Sequence, residues 1–176
     1  LMATIANSGY FIAPHIMKSV AGEDSLMQAL NRRHQTSVNP VFFEPVIEGL
    51  SMVVKAGTAR VARIDSIEVC GKTGTAENPH GKDHSQFSGF APRNNPQIAV
   101  AVLVENSGFG ATWAAPIASL VMEYYLTGTI APSKQYLLER MLNANLLGNP
   151  IVPAPPVALP IEDPDILQRD TVVASR

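Results

Sequence analysis

The stretch Lys72-Thr73-Gly74-Thr75-Ala76-Glu77 carries an ammonium, two hydroxyls and a glycine that leaves the backbone uncovered. An ammonium with a hydroxyl nearby holds a carboxylate. A strand with uncovered backbone accepts an extended peptide as an added strand. A lone Lys-Thr-Gly also recurs by chance, as a strand end with a surface lysine. The surroundings of the tripeptide therefore decide its meaning.

Other chemistry-bearing residues read as structural. His80-Gly81-Lys82-Asp83-His84 places metal-like side chains close together, but a solvated turn between strands accounts for them, and no metal is expected. Cys70 has no histidine beside it and reads as a small strand residue packed in a sheet. Trp113 reads as packing ahead of a helix, and Glu77 as a polar strand end. Asn106-Ser107-Gly108-Phe109-Gly110 is a glycine-rich turn that lacks the Lys and Ser/Thr of a phosphate-binding loop. No serine is followed by lysine three residues later, so no Ser-x-x-Lys nucleophile pair is present.

The elements that must position these residues follow from pattern. Leu1–Asn7 reads as a helix end, stopped by Ser8-Gly9. Residues 10–20 read as strand or extended chain, and residues 23–40 give no clear pattern. Pro45 is expected to open a helix whose apolar face is Ile47, Leu50, Val53 and Val54 and which ends at Gly57. Strands are predicted at 67–75, 86–91 and 98–104, separated by turn clusters, as an antiparallel meander. The unbroken apolar run Ile98–Val104 is expected to be a central strand covered on both faces. A helix over 116–126 should bury Ile117, Leu120, Val121 and Tyr124, and a second helix over 134–147 should be capped by Ser133. Several prolines between Pro150 and Pro164 predict an extended or disordered tail.

Composition bounds the function class. The chain has 176 residues, 46% of them hydrophobic, enough for one domain core plus a tail. A net charge of −2 gives no reason to expect nucleic acid or an anionic membrane surface as partner. One cysteine excludes an internal disulfide. No apolar run reaches membrane-spanning length, and no signal peptide is visible. The first residue, Leu1, suggests a fragment or a processed product.

The flanking segments narrow the reading of Lys72–Glu77. Met2–Tyr10 with Pro14-His15, Val46–Leu50, Gly57-Thr58-Ala59, Gly89–Pro92, Asn95–Val102, Val104-Glu105-Asn106 and Ala114–Ala118 occur in order around it. Together they resemble the transpeptidase domain of penicillin-binding proteins, the elongation-type class B members above all. The resemblance covers residues 1–128 with motif spacing intact. It implies an α+β fold, an antiparallel sheet with flanking helices, as part of the penicillin-binding and serine β-lactamase-like architecture. On this basis 1–128 is the C-terminal portion of the transpeptidase domain, 129–148 a C-terminal helix and 149–176 a flexible Pro-rich tail.

In that family a serine attacks the D-Ala-D-Ala bond of a peptidoglycan stem peptide, and an amine from a neighbouring stem resolves the acyl-enzyme. β-Lactams acylate the same serine. By resemblance Lys72 raises the local positive potential and helps position the proton relay, Gly74 lets substrate lie close, and Thr75 holds the substrate carboxylate and donates its N–H to the oxyanion. Thr73 faces the second-motif region or the core. Strict alternation puts Lys72 and Thr75 on opposite strand faces, so a local twist at Gly74 is expected if both serve one groove. No cofactor is implied. The family sits at the bacterial inner membrane with this domain in the periplasm.

Two of the family's three catalytic motifs are missing. Ser37-Val38-Asn39 matches the letters of the second motif but lies after Met2–Tyr10, out of the family's order. The chain alone is therefore expected to be inactive. Its expected partner is the missing N-terminal part of the domain, or a second copy of itself. A D,D-carboxypeptidase, β-lactamase or β-lactam sensor shares the tripeptide, and a non-catalytic module of the same fold is the reading from another class.

Overall fold

The computed structural model describes residues 1–22 and 24–148. The predicted Pro-rich tail over 149–176 lies outside the described residues. Leu1–Leu146 forms one compact unit.

Its centre is a three-stranded antiparallel sheet whose strands are neighbours in chain order. The strands are β3 (Cys70–Ala76), β4 (His84–Ala91) and β5 (Ile98–Val104). Thr73 is opposite Phe87, which is opposite Val102, and Gly74 is opposite Gln86, which is opposite Leu103. This is the predicted meander. Ahead of it come α1 (Met2–Ala6), β1 (Tyr10–Ile12), α2 (Asp24–Leu30), β2 (Arg33–Gln35) and α3 (Phe43–Lys55). β1 and β2 pair antiparallel as a separate ribbon. The turn out of α1 has Ser8 at φ 53° and Gly9 at φ 120°, the left-handed stop expected there.

Alternation along the strands divides the sheet into two faces. Phe87 and Ala91 of β4, with Ile98, Val100 and Val102 of β5, pack against α4 (Ala114–Thr127) through Ala114, Ala115, Ala118 and Met122. Cys70 and Phe90 project to the other face, against Phe43 and Ile47 of α3 and Met2, Ile5 and Ala6 of α1. Phe87 and Phe90 are both fully buried, each worth about 1.5–3 kcal/mol of transfer free energy.

Several boundaries depart from the sequence reading. β3 begins at Cys70 rather than 67, because Ile64 and Ile67 close a turn on each other with Ser66 at φ 63°. α3 starts at Phe43, so Pro45 lies in its first turn rather than at its first position. β5 is a sheet edge, and β4 is the central strand. The residues of β5 alternate between half-buried toward α4 and exposed, with Leu103 56% exposed. An apolar run alone cannot distinguish that pattern from burial on both faces, and the serines and glycine of β4 disguise its centrality. The buried face of α4 is its alanines with Ser119 and Met122, because close approach of a helix to a sheet selects small side chains. Of the predicted stripe Leu120 is buried, while Val121 and Tyr124 are half exposed. The helix after α4, α5, is Gln135–Leu142, shorter than 134–147. Ser133 lies inside the 3-10 turn Pro132–Lys134 and caps nothing.

Ser37-Val38-Asn39 has a structural use. Asn39 Oδ1 accepts from Val41 N–H at 3.1 Å and caps the 3-10 turn that leads into α3.

Candidate active site

β3 has β4 on one side and no strand on the other, so one of its backbone edges is unpaired among the described residues. Lys72, Thr73, Gly74 and Thr75 all lie within it. Lys72 Nζ donates to the Thr73 carbonyl at 2.5 Å. The Thr73 and Thr58 hydroxyls bond each other at 2.7 Å. Thr58 follows the end of α3, so this pair ties the helix exit to the strand. The Thr73 hydroxyl is thus engaged by Thr58, in an exposed hydrogen bond rather than in the core. Thr75 is exposed.

The two edges of β3 can be told apart at Gly74. The nitrogen and oxygen of Gly74 and the oxygen of Gln86 lie together beneath Gly110. Gly74 therefore turns its polar backbone atoms toward β4. Successive residues of an antiparallel strand direct theirs to opposite sides. The Thr73 carbonyl, already taken by Lys72 Nζ, and the Thr75 N–H accordingly point to the unpaired edge. The register runs unbroken through Gly74, with no bulge. By strand alternation Lys72 and Thr75 flank the free edge from opposite faces.

The loop from Phe109 to Trp113 backs this strand. Ser85 Oγ donates to the Phe109 carbonyl and accepts from Ala114 N–H, both at 3.0 Å. Arg140 of α5 donates to the Thr112 carbonyl at 3.1 Å and lies over the Trp113 ring at 5.1 Å. Trp113 is thus a packing residue, as read from sequence. His84 Nδ1 accepts from Asn106 N–H at 3.0 Å, which gives this histidine a structural role in the turn region. Among the described residues no group of His, Cys, Asp and Glu is placed to hold a metal ion.

A charged cluster anchors the start of β3. Arg93 lies 2.7 Å from Glu44, 2.6 Å from Glu48 and 3.1 Å from Glu68. These carboxylates hold its guanidinium above its ordinary pKa, Glu44 most strongly. Glu68 also accepts from Lys55 at 2.7 Å and Ser51 at 2.6 Å. Lys55 first, then Ser51 and Arg93, hold its carboxyl at about 2. Cys70 is fully buried, and burial first, then the negative charge of Glu68, pushes its thiol up to about 11. It is a thiol at neutral pH and no nucleophile. The sequence reading missed this cluster, because Glu44, Glu48, Glu68 and Arg93 are scattered in the chain.

Residues 1–123 match the model of the penicillin binding protein transpeptidase domain. The chain is 33% identical over 156 residues to the peptidoglycan D,D-transpeptidase MrdA of Haemophilus influenzae, covering 75% of this chain and 23% of that protein. It superposes on the crystal structure of Pseudomonas aeruginosa PBP2 in complex with WCK 5153 with a TM-score of 0.61 and 36% identity, over 75% of this chain and 30% of that one. It also superposes on the penicillin G acyl-enzyme complex of penicillin-binding protein A from Mycobacterium tuberculosis, with a TM-score of 0.54 and 33% identity over 72% of this chain and 30% of that one. The chain spans about a quarter of the length of the curated relatives it matches, 23% and 28% for two of them. A family match over most of the chain, on top of an antiparallel sheet that ends in Lys72-Thr73-Gly74-Thr75, shows that this chain belongs to the penicillin-binding protein transpeptidase family.

Proposed function

We propose that this chain contributes the substrate-binding edge strand of a peptidoglycan D,D-transpeptidase whose nucleophilic serine lies outside these 176 residues. The observation that carries the proposal is the unpaired edge of β3, with the Thr75 N–H on it and Lys72 and Thr75 flanking it. A stem peptide ending in D-Ala-D-Ala lies along that edge as an added strand. The Thr75 hydroxyl holds its terminal carboxylate. The serine oxygen attacks the carbonyl carbon between the two D-Ala residues. The oxygen of that carbonyl takes up the negative charge, and the Thr75 N–H stabilises it. The terminal D-Ala leaves with a proton, and the amine of a second stem then displaces the serine to form the cross-link. β-Lactams enter as mimics of the donor. Lys72 adds positive potential and helps position the proton relay; Gly74 keeps the strand uncovered.

In this reading residues 1–128 are the C-terminal part of the catalytic domain. The domain acts in the periplasm of a bacterium, at the inner membrane. Among the described residues no helix is long and apolar enough to cross a membrane. The partner that completes the sheet and supplies the serine is the remainder of the same domain.

The test is covalent labelling with a fluorescent penicillin. The complete protein should take one label, on a serine outside the sequence described. The 176-residue chain alone should take none. Label on Ser37 or any other serine of this chain overturns the assignment.

A further inference from the structure

We infer that Gly110 is a positioning residue for the substrate-binding strand, setting where the Thr75 N–H stands by direct backbone contact at Gly74. This rests on the reading of β3 as the substrate edge. A Cβ on Gly110 would meet the Gln86 carbonyl oxygen at 2.3 Å, the Gly74 carbonyl oxygen at 2.5 Å and the Gly74 nitrogen at 3.1 Å. All three are backbone atoms of two paired strands, and no side-chain rotation relieves them. Gly110 is buried. It is not among the glycines with positive φ, so alanine suits its backbone conformation. The requirement for glycine here is space, where a loop lies directly on the residue before Thr75.

What yields when that space is filled follows from the hydrogen bonds. The Gly110 carbonyl accepts from Ala115 N–H at 2.9 Å, at the start of α4. The loop is further held by Ser85 on Phe109 and by Arg140 on Thr112. Retreat of the loop breaks several of these bonds. β4 is paired on both sides, whereas β3 is paired on one. The softest neighbour is therefore β3 at Gly74. Pushing Gly74 carries the next residue with it, and oxyanion donors work only within a narrow range of position.

The experiment uses the complete protein with Gly110→Ala. Gly108→Ala is the control: it strains a residue at φ 90° in the same loop, but its added Cβ meets nothing within 4 Å. Stopped-flow labelling with a chromogenic penicillin separates initial binding, the acylation rate constant and the labelled fraction. Gly110→Ala should lower the acylation rate constant about 10-fold to 100-fold while initial binding and the labelled fraction stay near wild type. Hydrogen exchange in the peptide spanning residues 72–76 should accelerate. Gly108→Ala should leave the rate constant unchanged. A Gly110→Ala protein with wild-type acylation and exchange overturns the inference. So does one that loses labelled fraction alone, since that reports partial unfolding. If the wild-type protein takes no label, the reading of the site falls, and exchange at 72–76 alone decides whether Gly110 positions the strand.

Discussion

Thr58 and Thr73 share one hydrogen bond between their hydroxyls, 2.7 Å long, which joins the end of α3 to the middle of β3. Replacing either threonine by valine keeps the shape and removes one partner. Each change should cost about 0.5–1.5 kcal/mol in urea unfolding of the complete protein. Their effects should be coupled, the second costing less than the first. Strictly additive losses would mean the two hydroxyls contribute independently.

The orientation of β3 separates two roles of Thr75. Thr75→Ala removes the hydroxyl and keeps the N–H, so it should weaken carboxylate binding and slow acylation. Thr75→Pro removes the N–H. Because that N–H lies on the unpaired edge, proline takes no donor from the ladder and the fold should survive. Acylation should fall by about 2–4 kcal/mol of transition-state stabilisation, and by a comparable amount for Lys72→Ala. Acylation rates measured with a labelled penicillin decide it. A fast Thr75→Pro protein removes the oxyanion role.

Much of this site was legible before the structure because its signals are local. Lys72-Thr73-Gly74-Thr75 is contiguous, and the turn clusters around 78–82 and 92–96 bound the strands. What was not legible depends on which surface an element meets. Ile98–Val104 looked central because its residues are apolar on both faces, yet it is an edge. The α4 stripe was misread because Ala114, Ala115 and Ala118 carry the contact while Tyr124 and Tyr125 face outward. The roles of Gly110 and of Thr58 rest on proximity across the fold, for which no spacing rule exists. Gly108-Phe109-Gly110 signalled a turn, and only the turn's position over Gly74 gives its second glycine a purpose.

Acid should loosen the base of β3. The Glu68 carboxyl is held at about 2, below its ordinary 4.5, so the folded state favours its charged form. The stability this contributes is fully present above pH 4.5 and drains away as pH falls toward about 2. Glu68→Gln should remove that slope. At neutral pH it should cost about 1 kcal/mol, since Glu68 is partly exposed and its pairs are screened by solvent. Unfolding midpoints from pH 6 to pH 2 are the measurement. Parallel curves for the two proteins would show that Glu68 does not carry the effect.

Glu123 makes the opposite kind of pair. Its side chain is 4% exposed on α4, and its Oε2 lies 3.0 Å from Lys134 Nζ, close enough for an ion pair though not aligned as a hydrogen bond. Oε1 accepts from Ala131 N–H at 3.3 Å, and Lys134 also donates to Ser119 Oγ at 2.8 Å. Lys134→Met leaves a buried carboxylate without its cation and should destabilise by about 3–5 kcal/mol. Lys134→Met with Glu123→Leu should recover most of that loss, since apolar replacement of a buried pair is often near neutral. If the double variant is no more stable than the single, the pair contributes more than its own desolvation costs.

The isolated 176-residue chain should not remain monomeric. Among the described residues β5 leaves one backbone edge unpaired, and Leu103 on it is 56% exposed. Separately, α4 presents Val121 at 50%, Tyr124 at 48% and Tyr125 at 62% exposure. An unpaired strand edge is a template for another strand, and contiguous apolar surface is rare on soluble monomers. Covering about 300 Å² of apolar surface is worth roughly 7 kcal/mol at 25 cal/mol per Å², comparable to the whole stability of a small domain. Sedimentation of the purified chain should therefore show dimers or larger species at micromolar concentration. Leu103→Lys places a charge on the edge and should shift the distribution toward monomer, because lysine is how natural edge strands resist pairing. Adding the rest of the domain as a separate chain should do the same by occupying β5. A wild-type chain that sediments as a monomer and unfolds cooperatively would show that the three strands with α1, α3 and α4 are a sufficient core, and the exposed edge would then need no occupant.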